Sequence, residues 1–150
     1  MKYVNDKGRE VASNYYEGIL QLRNPSGEVI KFVKDAIKNE ERVFTAKRNK
    51  VRNGFDYKLS SKKFLMDIGK RLQRKFGGEV KISSKLYGVS RETSKKIYRI
   101  TVLFRLPNFK VGDTVKIPGR FVKVTRLGSR VFGVDVDTGK KISFDYDKVI

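Results

Sequence analysis

Two apolar stripes at helical spacing, each set between runs that alternate, restrict the first part of this chain to helices layered on a sheet. In residues 26–40, Val29, Ile30, Val33, Ala36 and Ile37 recur at i, i+1, i+4, i+7 and i+8, along one side of a helix. Residues 60–76 repeat the device with Phe64, Leu65, Ile68, Leu72 and Phe76. Such stripes must be buried, and the flanking runs supply the surface. Tyr16, Gly18, Leu20 and Leu22 fall on one face of a strand beginning at Tyr15, with Ile19 and Gln21 on the other. Phe55, Tyr57 and Leu59 alternate with Asp56 and Lys58. Val80, Ile82, Ser84 and Leu86, then Tyr98, Ile100, Val102, Phe104 and Leu106, read as the two arms of a long hairpin.

Punctuation supports these limits. Asn24-Pro25-Ser26 opens the first helix, with Pro25 suited to a first turn where its missing N–H costs nothing. Ser60 or Ser61 caps the second helix, and Gly77-Gly78 stops it. Asn53-Gly54 suits a turn with positive φ, joining strands at 42–48 and 55–59. After Pro107-Asn108 the texture changes to short strands at 113–117, 121–126, 130–136 and 141–146. The turns between them are Pro118-Gly119, Leu127-Gly128-Ser129 and Asp137-Thr138-Gly139-Lys140. The expectation is an α+β chain. Residues 1–14 form a linker or stub. Residues 15–108 form an α/β two-layer domain, two helices on a mixed or antiparallel sheet. Residues 109–150 form a small all-β SH3-like barrel.

Charge says what such a chain touches. Thirty-five Lys and Arg oppose sixteen Asp and Glu, a formal net charge of +19 over 150 residues. A compact chain with that surplus repels itself, and a polyanionic partner relieves the repulsion. Residues 109–150 hold nine basic and five acidic residues, leaving twenty-six against eleven in residues 1–108. The first unit therefore carries the main electrostatic footprint. Ten Phe and seven Tyr supply core material, so the charge does not imply disorder.

The composition also removes much side-chain chemistry. Without Cys or His there is no thiol or imidazole catalyst, no CxxC zinc site and no Ser-His-Asp triad. Asp137-Thr138-Gly139 matches the aspartic-protease triplet, but that chemistry needs two carboxylates sharing a proton in a water-limited cleft. The triplet occurs once and runs into Lys140-Lys141, and a hairpin turn accounts for it. Asp135 and Asp137 on one strand face supply too few oxygen ligands for Mg²⁺. The expectation is a binder rather than an enzyme, with no cofactor, no metal and no small-molecule substrate. No apolar run long enough to span a bilayer and no signal-peptide core occur, so no membrane partner is expected and the expected compartment is the cytoplasm.

In the second helix, Lys63, Lys70 and Arg74 fall within about 40° of one another, opposite the apolar stripe. Such a row can follow a phosphate backbone, releasing a condensed counterion at each contact. Asp67 can pair with Lys63 or Arg71, which would make the row an ordinary solvated face. Residues 47–54 read as a loop carrying Lys47, Arg48, Lys50 and Arg52 with no acid. Residues 85–96 read as a hairpin tip with Lys85, Arg91, Lys95 and Lys96 against Glu92. A twisted ribbon projects such a tip toward a groove or RNA junction, although the same charges also deter edge pairing between chains. Lys116, Arg120, Lys123, Arg126 and Arg130 in the barrel are secondary candidates. Tyr15 and Tyr16 are candidates for base stacking. With no RRM signature and no GXXG loop of the KH kind, phosphate and shape recognition is expected rather than base readout.

The order of several segments resembles one family. These are Tyr15-Tyr16-Glu17-Gly18-Ile19-Leu20-Gln21-Leu22-Arg23-Asn24, then Gly54-Phe55-Asp56-Tyr57-Lys58 before a helix, Ser83-Ser84-Lys85-Leu86, and Phe109-Lys110-Val111-Gly112-Asp113-Thr114-Val115. Together they resemble the nonsense-mediated-decay-protein-three family of large-ribosomal-subunit adaptors. The resemblance implies a domain similar to ribosomal protein L22e followed by one similar to translation factor 5A. It also implies binding to the joining face and exit-tRNA region of the large subunit during late assembly. The family's zinc-ribbon part with its CxxC pairs and its export tail have no counterpart here, so an archaeal-type protein or a truncated one is expected. The lysine-bearing loop modified in factor 5A has no counterpart at Ile117-Pro118-Gly119-Arg120. Large-subunit rRNA, with neighbouring ribosomal proteins, is thus the expected partner. The rival expectations are a general RNA or DNA binder and a protein-interaction scaffold.

Overall fold

The computed structural model describes residues 2–150. Local capping sets the helices. Ser26 accepts from the Val29 N–H at 3.2 Å and starts α1 (Gly27–Lys38), while Ser61 accepts from the Phe64 N–H at 3.0 Å and starts α2 (Lys62–Phe76). Pro25 therefore precedes the cap rather than occupying the first turn, because the bond from the Val29 N–H makes Ser26 the cap and Gly27 the first helical residue. Gly77 ends α2 at φ 69°, where the Cβ of any other residue would also lie 2.6 Å from Leu127 Cβ.

The first sheet runs β2 (Thr45–Val51), β3 (Gly54–Leu59), β1 (Gly18–Arg23), β5 (Lys96–Arg105), β4 (Glu79–Val89) in spatial order. β1 is central, antiparallel to β3 and parallel to β5; the other pairings are antiparallel. Residues paired across strands share a face. Leu20 and Leu22, Tyr57 and Leu59, and Val102 and Phe104 all point to the side where α1 and α2 lie, and pack with Val29, Val33, Leu65, Ile68 and Leu72. Gly69 lets α2 approach closely: a Cβ there would stand 2.9 Å from Val102 Cγ1.

The chain from residue 109 has its own apolar cluster, built on Val115, Ile117, Val122, Val124, Val131 and Phe144. Its strands β6 (Thr114–Ile117), β7 (Arg120–Leu127), β8 (Val131–Asp135) and β9 (Lys141–Phe144) form an antiparallel meander in chain order. The sheet is not a closed barrel among the described residues. β9, the fourth strand, does not pair with β6, and a 3-10 turn at Tyr146–Lys148 follows; the Ile150 N–H reaches back to the Lys116 carbonyl at 2.9 Å. The fold is thus mixed α+β, two helices and two mostly antiparallel sheets.

Other expectations shift. β1 begins at Gly18 rather than Tyr15, and β2 lies at Thr45–Val51 rather than 42–48. Residues 2–14, read as a linker, are docked. The Tyr3 and Phe44 rings lie 4.8 Å apart, the Ser61 hydroxyl donates to Asp6 Oδ2 at 2.7 Å, and Arg42 donates to the Asp6 carbonyl at 3.0 Å. These contacts come from single residues, so hydrophobic periodicity gave no sign of them.

Candidate nucleic-acid interface

The parity that buries Leu20 and Val102 sends their neighbours to the opposite face of the first sheet. Among the described residues no helix covers that face, and Ile19 and Leu103 belong to neither apolar cluster. The register fills its margins with cations. Lys47 stands beside Lys58, Lys85 opposite Arg99, and Arg23 beside Arg105. Of the acids there, Asp56 accepts from Arg23 at 2.8 Å and Glu79 lies 3.6 Å from Lys81. The floor between the margins is Ile19, Gln21, Thr101 and Leu103, all half-buried.

Two tyrosines close one end of this face around a single guanidinium. Arg99 Cζ lies 3.8 Å from the Tyr16 ring centroid and 3.6 Å from that of Tyr87, and Arg99 also donates to the Tyr16 hydroxyl at 3.0 Å. Lys58 Nζ is 4.9 Å from the Tyr16 ring. Tyr87 is the extra residue of a bulge between Leu86 and Gly88, which turns its side chain onto Arg99 and leaves it 59% exposed. Tyr16 thus sits on the uncovered face, not with Leu20 and Leu22 as its spacing implied, because it precedes the strand whose parity it was assigned. Tyr15 is half-buried; its hydroxyl donates to the Glu17 carboxylate, and burial, reinforced by that carboxylate, pushes its phenol far up.

The primary cations expected from sequence are all exposed, and none forms an ion pair with a carboxylate among the described residues. The structure distributes them over several surfaces. Lys63, Lys70 and Arg74 occupy the outer side of α2, beyond the helix layer. Asp67 pairs with Arg71 at 3.7 Å rather than with Lys63, although Lys63 and Lys70 border a cleft that also contains Asp6, Glu40, Glu41 and Asp67. Lys47, Arg48 and Lys50 lie in β2, an edge strand, and only Arg52 lies in the turn. Ladder bonds to β3 hold this all-polar segment in strand form, and its charges blunt the free edge. Arg48 turns to the helix side, 5.3 Å from the Phe55 centroid, while Lys47 faces the uncovered side. Tyr57 below Arg48 is buried with no hydrogen-bond partner for its hydroxyl among the described residues, and burial pushes that phenol up against the lowering charge of Arg48. Lys85 is in β4 rather than at the tip, Lys96 starts β5, and Arg91 and Lys95 remain in the connecting turn.

Sequence reasoning missed Lys58, Lys81, Arg99, Arg105 and Tyr87. The pattern was available: Arg99, Thr101, Leu103 and Arg105 are the odd-numbered partners of the apolar series that identified β5. On the second sheet, Lys116, Arg120, Lys123, Arg126 and Arg130 are all exposed, but Arg120 lies 3.6 Å from Asp135 and Arg130 lies 3.1 Å from Asp145. Asp135 does not share an outward face with Asp137. It is buried and accepts from the Asp137 and Thr138 amides at 2.8 and 3.1 Å, bonds that hold its carboxyl below the usual range. Asp137-Thr138-Gly139 is thus a turn tied by its neighbour.

Tyr146 ties the turn after α2 to the turn between β7 and β8. The Tyr146 hydroxyl donates to the Gly128 carbonyl at 2.6 Å and accepts from the Gly78 N–H at 2.8 Å; burial pushes its phenol up. Nearby, the Asn24 amide donates to the Leu106 carbonyl and to Asn108 Oδ1.

The described residues thus form an α+β fold with one uncovered sheet face and exposed cations that stand outside its ion pairs. The profile of the family described as NMD3, second domain, matches residues 15–106. The chain belongs to the NMD3 family, which associates it with the ribosome and with biogenesis of the large subunit. Comparison with curated proteins gives no match. No helix among the described residues is long and apolar enough to cross a membrane.

Proposed function

We propose that this chain is a non-enzymatic, cytoplasmic ribosome-binding module that contacts large-subunit rRNA near the exit-tRNA region through phosphate and shape recognition. In this reading residues 15–108 form the L22e-like, RNA-contacting domain, and residues 109–150 form a smaller SH3-like unit akin to translation factor 5A. The observation that supports it most is that the primary cations are exposed and, among the described residues, without carboxylate partners, so each can release a counterion on meeting a phosphate. The test is sedimentation with separated subunits, with and without nuclease, over a salt series. The expected result is nuclease-sensitive co-sedimentation with the large subunit alone. Contact with six or more phosphates weakens binding by about a thousandfold or more from 50 to 200 mM salt. A flat salt dependence, or equal competition by bulk tRNA and duplex DNA, would contradict it. The β4–β5 arm supports a second reading for itself only: Ile82, Leu86 and Tyr98 are exposed on one side of it, which suits a protein neighbour on the subunit.

A further inference from the structure

We infer that the uncovered face of the first sheet is a platform for single-stranded RNA, with a base stacked on the outer face of Tyr87. This rests on the proposed function for the class of partner and adds the form of nucleic acid and the site.

The first ground is charge. The face sets Lys47, Lys58, Lys85 and Arg99 around its Tyr-bearing end, and no carboxylate pairs with any of them among the described residues. Its two acids lie toward the other end and already face Arg23 and Lys81. A polyanion is therefore the complementary occupant.

The second ground is the floor. Ile19 and Leu103 are apolar, half-exposed and outside both cores. A duplex keeps its bases stacked inside and presents phosphates, for which an apolar floor offers nothing. A single strand presents phosphates and free base faces together, so the cationic margin and the apolar centre are both used.

The third ground is preorganisation. Arg99 is held between two rings at 3.6 and 3.8 Å and is tied to the Tyr16 hydroxyl, so Tyr87 is already positioned before any ligand arrives. One side of its ring lies on the guanidinium, and with 59% of the residue exposed the other is the side open to a base. A base placed there extends a column of base, Tyr87, Arg99 and Tyr16. Sequence-tolerant stacking of this kind needs only a π face.

The test uses the full chain, a fluorescein-labelled eight-nucleotide oligouridylate, and an RNA duplex of equal phosphate number, by anisotropy at fixed salt. Tyr87→Ala should weaken oligouridylate binding by about 5- to 150-fold, the range seen for a lost stacked base, and leave duplex binding unchanged. Tyr87→Phe should retain the affinity, because the ring and not the hydroxyl is used. With no Trp in the chain, tyrosine emission is observable, and part of its quenching by the oligonucleotide should vanish in Tyr87→Phe. The inference is overturned if Tyr87→Ala binds oligouridylate as the native chain does, or if it weakens duplex and oligouridylate equally. It is also overturned if Tyr87→Ala abolishes a nuclease-resistant association with the large subunit, which would assign the face to a protein. Failure to sediment with large subunits while oligouridylate binding still depends on Tyr87 would refute the proposed function and leave this site standing.

Discussion

Replacing Lys63, Lys70 and Arg74 together by Gln removes three exposed cations from α2 and leaves its buried stripe intact. At 1.5 Å rise per residue, Lys63 and Arg74 stand about 16 Å apart along the helix axis, with Lys70 between them. That length suits a run of phosphates on one strand of an rRNA helix. If each cation neutralises one duplex phosphate, the slope of log binding constant against log salt becomes shallower by about 2.7. Between 50 and 200 mM salt the native chain then loses about 40-fold more affinity than the variant does. Anisotropy titrations of a large-subunit rRNA duplex at four or five salt concentrations would read both slopes. Thermal unfolding serves as the control and should move by no more than about 0.5 kcal/mol, since all three side chains are solvated. An unchanged slope in a folded variant would refute the placement of α2 on phosphates, whatever the absolute affinity.

Three further outcomes follow from packing and hydrogen bonding. Ser61→Ala removes the cap of α2 and the donor to Asp6, and should cost about 1–2 kcal/mol in urea unfolding, with greater protease sensitivity of residues 2–14. Tyr57→Phe deletes a buried hydroxyl that has no partner, and should be neutral or raise stability by about 1 kcal/mol in the same assay. Tyr146→Phe strands the Gly78 N–H and the Gly128 carbonyl, and should cost about 1–3 kcal/mol. Because burial raises the Tyr146 phenol, the contribution of its proton to stability is complete below about pH 10, where an unfolded tyrosine ionises, and is lost as pH rises through the folded value. Absorbance at the phenolate band should show this late-ionising class shrinking in Tyr146→Phe.

The helices and most strands were legible because each buries one face, and burial leaves a period. Val29, Val33 and Val102 betray their neighbours by spacing alone. β2 was misplaced because an edge strand with Lys47, Arg48 and Lys50 has no buried side to reveal its period. The family resemblance came from the order of segments, and the match to residues 15–106 covers most of them. The Tyr16–Arg99–Tyr87 stack was not legible, since it brings the β4–β5 hairpin against a residue some eighty positions earlier in sequence and depends on a bulge that no composition signals. Closure of the second sheet was over-read from strand count. Four short strands are compatible with a barrel, but a meander whose ends do not pair satisfies the same pattern.

The phenol of residue 146, giving to the turn after β7 and receiving from the turn after α2, adds a directional tie where Gly77 already lies against Leu127. Two surfaces joined by a slack tether would each search for their own foothold. Held at one separation, two such surfaces would arrive on a common partner as a calliper, so a first touch-down would align the second, and the effective concentration for that step would depend on angle rather than on tether length. A partner with footholds spaced otherwise would then be turned away without any clash at either one.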